Sequence, residues 1–159
     1  MHGDIQHLSA LIGTWRGRGS GHYPTIEPFE YLEEAVFGHV GKPFISYAQK
    51  TRSPETELPV HAETGYLRPV GTDRIELVLS QPSGVVEIDV GSVTISEQGE
   101  VTIDLTSQLV GTTDTAKDVT EVRRTLRVNG NEMAYDMYMA AVGEPLEHHL
   151  NATLNKVSE

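Results

Sequence analysis

The chain has 159 residues, 38% of them hydrophobic, and this size predicts one globular domain, residues 1–159, with a core of its own. Its formal net charge of -11 repels phosphate backbones and anionic lipid surfaces, which argues against nucleic-acid and membrane partners. Cysteine is absent, which excludes disulfides, thiolate metal ligands and thiol nucleophiles. The sequence shows neither a signal-peptide pattern nor an apolar run of membrane-spanning length, so we expect a cytoplasmic protein.

A short helix is predicted at the start of the chain. Asp4 is placed to cap its N-terminus, and Gly13 is placed to end it. The apolar residues that recur at the spacing of one helical face are Ile5, Leu8, Leu11 and Ile12.

The next stretch, GTWRGRGSGHYPTI at residues 13–26, is rich in glycine. Read as a strand, it places Trp15, Gly17, Gly19 and Gly21 on one face, which is therefore nearly bare. Glycine weakens a strand, so three in register predict a bend, a bulge or the close approach of another group to the backbone. The simplest interpretation is barrel curvature, with Trp15 closing one end of the barrel above the helix.

Beyond residue 26 the apolar residues recur with a period of two, which is typical of strands. Segments with turn chemistry separate these stretches: GHVGKP, RSPETELP, PVGTDR, QPSG, SEQGE and VNGNE. About ten strands without intervening helices predict an all-β fold, an antiparallel up-and-down β-barrel behind a short N-terminal helix. A barrel of this size can hold a small ligand. The positions predicted to face inward are Phe29, Tyr31, Ala35, Phe37, Ile75, Leu77, Leu79, Val86, Ile88, Val90, Val101, Ile103, Leu105, Val122, Leu126, Val128, Tyr135, Met137 and Met139.

A family resemblance runs along nearly the whole chain outside residues 96–120. The helix followed by G-x-W-x-G-x-G resembles the lipocalin and fatty-acid-binding-protein group, and GTWRGRGSGHYPTI as a whole resembles the nitrobindins. HVGKPFISYAQKT, VHAETGYLRP, IELVLSQPSGVVEI and HLNATLNK match the same family. The resemblance implies a ten-stranded barrel that holds non-covalent, mostly ferric haem b through one histidine near the C-terminus. It also implies nitric oxide binding and the isomerisation of peroxynitrite to nitrate.

Two adjacent histidines compete for the role of iron ligand in LEHHLNATLNK, residues 146–156. Strict alternation places His148 on the face of Leu150, Ala152 and Leu154, so a uniformly apolar cavity would select His148. The resemblance selects His149, which precedes the leucine of the family's His-Leu-x-Ala-x-Leu string; His148 stands where the family often has proline. His149 would then face the haem if the apolar residues pointed outward, covered by the helix or by the second subunit of a homodimer. Both histidines together cannot bind zinc, because adjacent strand residues diverge.

The resemblance implies further residues around the haem. Gln81 follows inward apolar positions, so its amide needs a partner, either backbone or a group at the haem edge. Val60 and His61 are adjacent, so both line the cavity only if the strand carries a β-bulge. Met139 belongs either to the distal side of the haem or to the core, and Lys117 either pairs with a propionate or is solvated. The last two residues that the resemblance places around the haem are Thr25 and Phe29, near the barrel mouth.

The implied chemistry needs no acid or base, and His149 is its single catalytic residue. A neutral imidazole is a good axial donor for ferric iron. Walls of Val, Phe, Met and Gln offer few donors opposite it, which disfavours reversible oxygen carriage. The resemblance implies that the O–O bond of iron-bound peroxynitrite breaks and that the caged fragments recombine as nitrate.

Two alternatives share the same barrel. One is a carrier of a lipid or apolar small molecule; Arg124, in phase with the inward Val122 and Leu126, could bind its carboxylate. The other is a haem store or nitric oxide sensor without turnover, and its residues would be the same. A hydrolase is disfavoured because the motifs G-x-S-x-G and H-E-x-x-H do not occur.

Overall fold

Ten antiparallel strands close on themselves behind one N-terminal helix in the computed structural model, which describes residues 1–157. Each strand pairs with its neighbours in sequence, and β1 also pairs with β10, so the predicted all-β barrel is confirmed. Within residues 1–157, no helix is long and apolar enough to cross a bilayer. The strands are β1 Gly13–Tyr23, β2 Ile26–Gly38, β3 Ile45–Arg52, β4 Pro59–Val70, β5 Arg74–Gln81, β6 Val85–Ile95, β7 Val101–Thr112, β8 Val119–Asn129, β9 Glu132–Ala141 and β10 Glu147–Lys156.

The helix is a short 3₁₀ helix that spans Gly3–Leu11 and starts earlier than predicted. The predicted cap, Asp4, is wrong: His2 precedes the helix, and its Nδ1 accepts a hydrogen bond from the Asp4 backbone N–H at 3.2 Å. Ile12 is the C-terminal cap, and Gly13, with a φ of 135°, follows it directly beyond the end of the helix. The residues that the helix buries against the barrel are Ile5, Leu8 and Leu11, as the spacing predicts.

Trp15 closes the barrel beneath this helix, as predicted. Its ring is fully buried, and its Nε1–H donates to the Leu11 carbonyl at 2.8 Å. The Lys156 ammonium lies 4.9 Å from the centre of the Trp15 ring and donates to the Ala10 carbonyl at 3.0 Å. The first helix, the first strand and the last strand are thereby joined at the closed end.

The glycine face of β1 makes room for two aromatic rings of β2. A Cβ atom on Gly19 would lie 2.3 Å from the Tyr31 ring, and one on Gly21 would lie 2.3 Å from the Phe29 ring. Both distances are far below van der Waals contact. The glycines are therefore needed for close approach, and the two rings lie across β1 inside the barrel.

Replacing Gly19 with alanine should lower the free energy of unfolding by about 1–3 kcal/mol, because the new methyl overlaps the buried Tyr31 ring. Denaturant unfolding measures this change. Gly3→Ala is the matched control, since no atom lies within 4 Å of a Cβ built there. Equal denaturant concentrations at the unfolding midpoint for the two variants would show that the Tyr31 ring moves aside freely.

The prediction for β6 is wrong in its alternation. Val86, Ile88 and Val90 are 47%, 40% and 41% exposed, so they face outward. The alternate positions include Glu87 and Asp89, which are 1% and 0% exposed. The strand turns two carboxylates into the barrel and three branched apolar residues to the outside, because the register with its neighbours, and not hydropathy, decides which face is inner.

Candidate functional site

An internal cavity of about 590 Å³ lies within the barrel and opens at the end opposite the helix. Its mouth is lined by residues of the turns and the loop at that end: Thr25, Ser83, Thr115, Lys117 and Val142. The structure brings every predicted site residue to this one cavity: Thr25, Phe29, Val60, His61, Gln81, Lys117, Met139 and His149.

A β-bulge in β10 determines which of the two histidines faces the cavity. His148 pairs with Tyr138 and Leu150 pairs with Met137, so His149 is an extra residue in the register with β9. His149 and Leu150 both line the cavity as a result. The expectation that the apolar residues of this strand would point outward is wrong, because the bulge resets the alternation and leaves them facing inward.

The ring of His149 is oriented by a backbone carbonyl. Its Nδ1 lies 2.9 Å from the carbonyl oxygen of His22, and a carbonyl only accepts, so Nδ1 carries the proton. In the neutral ring Nε2 then holds a free lone pair, the form in which a histidine binds a metal. Burial lowers the pKa of His149 and so favours this neutral form. The Tyr23 ring meets it edge-on, with the ring centres 5.2 Å apart.

His148 points to the outside of the barrel and is not among the cavity residues. Its Nε2 lies 2.8 Å from Oδ1 of Asp136. Its ring also packs against the rings of His22 and Tyr138, each with a centre-to-centre distance of 5.1 Å. The two histidines therefore have separate surroundings although they are adjacent in sequence.

A second bulge lies across the cavity in β4. Thr51 pairs with His61 and Arg52 pairs with Pro59, which leaves Val60 as the extra residue. The β-bulge that two adjacent cavity residues require is thus present, and Val60 and His61 both line the cavity.

The remaining predicted residues divide between the wall and the mouth. Gln81 donates from Nε2 to Oε2 of Glu87 at 2.8 Å, so its partner is a carboxylate and not backbone. Phe29 and Met139 are half-buried in the wall. Lys117 is exposed in the loop 113–118, and no ion pair between residues 1–157 engages its ammonium group.

A buried ion network that was not predicted from the sequence surrounds Arg124. Its Nη1 lies 3.0 Å from Oε1 of Glu63, its Nη2 lies 2.8 Å from Oε2 of Glu87, and its Nε lies 3.7 Å from Oδ2 of Asp89. Burial alone would raise the pKa of Glu63, but the charge of Arg124, together with His61 and the hydrogen bond from Tyr47, outweighs burial and lowers that pKa to about 2. Burial and the neighbouring charge of Glu87 instead raise the pKa of Asp89.

This network corrects two expectations. The cavity is not walled only by Val, Phe, Met and Gln, because Arg124 and Glu63 also line it. Arg124 cannot serve as the carboxylate anchor of a lipid carrier, since its guanidinium is already bound to internal carboxylates. The signal that could have revealed the network is the alternation of Glu87 and Asp89 with valine and isoleucine in β6.

Residues 4–156 match the family model of the THAP4-like, haem-binding β-barrel domain. The chain belongs to this family, the nitrobindins. A protein named peroxynitrite isomerase 2 from Mycobacterium marinum is 52% identical over 158 residues, which are 99% of this chain and 98% of that relative. A peroxynitrite isomerase from Nocardia farcinica is 52% identical over 156 residues, 98% of this chain and 92% of the relative. The crystal structure of Rv2717c from M. tuberculosis superposes with a TM-score of 0.97 at 46% identity and covers 99% of both chains.

The cavity of this nitrobindin fits the haem of its family. It offers one oriented, neutral imidazole in His149, whose Nε2 makes no hydrogen bond to any of residues 1–157. Apolar side chains such as Met137 and Leu150 line the same wall. Lys117 places a cation at the mouth of the cavity, and a cation is the charge that suits a carboxylate such as a propionate.

Proposed function

We propose that this nitrobindin binds haem b non-covalently through Nε2 of His149 and isomerises peroxynitrite to nitrate. The observation that carries the proposal is the oriented ring of His149, which lines the cavity with Nδ1 bound to the His22 carbonyl. Relatives at 52% identity over nearly the full chain carry the name peroxynitrite isomerase and support it.

The residues of the chain hold and enclose the reacting groups. The His22 carbonyl fixes the tautomer of His149, and the ammonium group of Lys117 would be available to pair with a propionate. When bound, ferric haem would supply an open coordination position at which peroxynitrite could rearrange to nitrate. Peroxynitrite and nitrate have the same atoms and the same charge, so no side chain must give or take a proton.

The cavity walls keep the fragments together. Phe29, Met139 and Leu150 present apolar surface, while the barrel is closed at its far end by Trp15. A fragment that leaves the reacting centre therefore meets protein on nearly every side. Nitric oxide, a small neutral ligand, would occupy the same coordination position.

Rapid mixing with peroxynitrite tests the proposal. The hemin-loaded protein should accelerate peroxynitrite decay in proportion to its concentration and yield nitrate, whereas the haem-free protein should not. Free hemin at the same concentration is the control for chemistry outside the barrel. If peroxynitrite decayed equally fast with hemin-loaded and haem-free protein, the proposed catalysis would be wrong, and a haem store or nitric oxide sensor would be favoured.

A further inference from the structure

Among the four tyrosines that line the cavity, Tyr135 has a distinctive set of partners. Its hydroxyl donates to Oε2 of Glu33 at 2.5 Å, and the Tyr31 hydroxyl lies 2.6 Å from it. Because the proton of Tyr135 is committed to the carboxylate, the Tyr31 hydroxyl is the donor of the second bond. The three groups form a chain that runs from Tyr31 through Tyr135 to Glu33.

Glu33 ends this series of hydrogen bonds as a carboxylate without an ion-pair partner among residues 1–157. It is 5% exposed, and none of the ion pairs found between residues 1–157 includes it. Burial raises the pKa of Glu33 to about 7, so its carboxylate accepts a proton far more readily than an exposed glutamate does. A phenol beside such a base can lose an electron and a proton together, which avoids the strongly acidic phenol cation.

Two neighbouring tyrosines lack such a base. Tyr47 donates to Oε1 of Glu63 at 2.8 Å, but Arg124 also binds that carboxylate, which makes it a weak proton acceptor. Tyr23 donates to the backbone carbonyl of Met139 at 3.0 Å, and a carbonyl does not take up a proton at neutral pH. Tyr47 is therefore an internal comparison for Tyr135. Both tyrosines line the same cavity and donate a hydroxyl hydrogen bond to a glutamate, but the glutamate that Tyr47 contacts is also paired with Arg124.

We propose that Tyr135 is a redox-active tyrosine, which gives one electron to a nitrogen dioxide radical in the cavity while its proton passes to Glu33. The products are a Tyr135 phenoxyl radical, nitrite and protonated Glu33, so atoms and charge balance. A second nitrogen dioxide adds to the phenoxyl ring and gives 3-nitrotyrosine, which makes Tyr135 a modification site. The inference rests on the proposed function only for the origin of the radical inside the barrel.

The test uses the haem-free full-length chain and nitrogen dioxide generated from nitrite by radiolysis, followed by peptide mapping of 3-nitrotyrosine. In the wild-type chain, nitration of Tyr135 should exceed nitration of Tyr47 several-fold. Glu33→Gln keeps the size and a hydrogen-bond acceptor but removes the base, so it should reduce nitration of Tyr135 to the level of Tyr47. Tyr66, which is half exposed on the outside of the barrel, should be nitrated equally in both proteins.

The pH dependence gives a second readout. Nitration of Tyr135 should fall as the pH decreases through about 7, because protonated Glu33 no longer accepts a proton, and this step should disappear in Glu33→Gln. The groups that face Glu33 from the surrounding strands are Tyr31, Gln49, Glu63, Arg124 and Tyr135.

Either of two results would overturn the proposal: nitration of Tyr135 no greater than that of Tyr47, or an unchanged Tyr135 yield in Glu33→Gln. The wild-type comparison needs no variant, so a folding defect cannot obscure it. Since the experiment contains no haem, its outcome is independent of peroxynitrite turnover. Failure of the rapid-mixing experiment would likewise leave the reactivity of Tyr135 intact.

Discussion

Replacing His149 with alanine should abolish the Soret band expected of the wild-type chain with hemin, whereas replacing His148 with alanine should leave that band unchanged. The expected difference follows from their surroundings. His149 lines the cavity with Nε2 free, while Nε2 of His148 is bound to Asp136 outside the barrel. Loss of a group that only orients a ligand typically weakens metal binding by about 10- to 100-fold. Loss of the ligand itself should weaken hemin binding by more than about 100-fold.

Hemin titration followed by absorption measures this difference, and transfer of hemin to an apo-globin gives the relative affinities. His148→Ala is a closely matched control, because it removes the same ring one position away in the same strand. Far-ultraviolet circular dichroism of both variants should match the wild type. A Soret band retained in His149→Ala and lost in His148→Ala would assign the iron to the outer histidine and refute the site described above.

The barrel was predictable because its signals are local. A period of two in apolar residues, interrupted by glycine, proline and asparagine, defines strands and turns without knowledge of their partners. The inward faces of β5, β7 and β9 follow this rule, whereas the 3₁₀ helix buries Ile5, Leu8 and Leu11 at the spacing of a helical face. For the bare face of β1 the sequence left a bend, a bulge and close approach open, with barrel curvature as the simplest interpretation, and it did not indicate the two rings that fill this face, Tyr31 and Phe29.

The site was less predictable because it depends on register. Alternation alone selected His148, and only the family string indicated His149. The bulge at His149 is a property of the pairing between β9 and β10, so no pattern within β10 reveals it. The inverted face of β6 has the same origin. Valine and isoleucine occupy the outer positions there, and the inner carboxylates are stabilised by Arg124, a residue 35 or more positions away in the chain.

Replacing Arg124 with methionine should lower the free energy of unfolding at neutral pH by about 3–5 kcal/mol. Methionine fills a similar volume, so the loss reports the charge and not a cavity. Without the guanidinium, Glu63 and Glu87 are buried at 6% and 0% side-chain exposure, and His61, whose Nε2 lies 3.5 Å from Oε2 of Glu63, is the one ion-pair partner left to them among residues 1–157. Arg127→Met is the control in the same strand, because the Arg127 side chain is 51% exposed and lies 3.9 Å from Asp136. Its loss should change stability by less than about 1 kcal/mol.

The pH dependence of that loss distinguishes lost charge from lost packing. In the wild-type chain the pKa of Glu63 is about 2, below its ordinary value of 4.5, so its contribution to stability is present above pH 4.5 and disappears as the pH falls towards 2. In Arg124→Met, burial is opposed only by His61 and Tyr47 and raises the pKa of Glu63 relative to the wild type, so ionisation stabilises the folded state less, or destabilises it, as the pH rises. Urea unfolding should therefore show the two proteins converging at acidic pH and diverging towards neutrality. Adding Glu63→Gln and Glu87→Gln to Arg124→Met should recover part of the free energy of unfolding at neutral pH. If the loss in free energy of unfolding were constant with pH and unaffected by these two changes, Arg124 would act through packing alone.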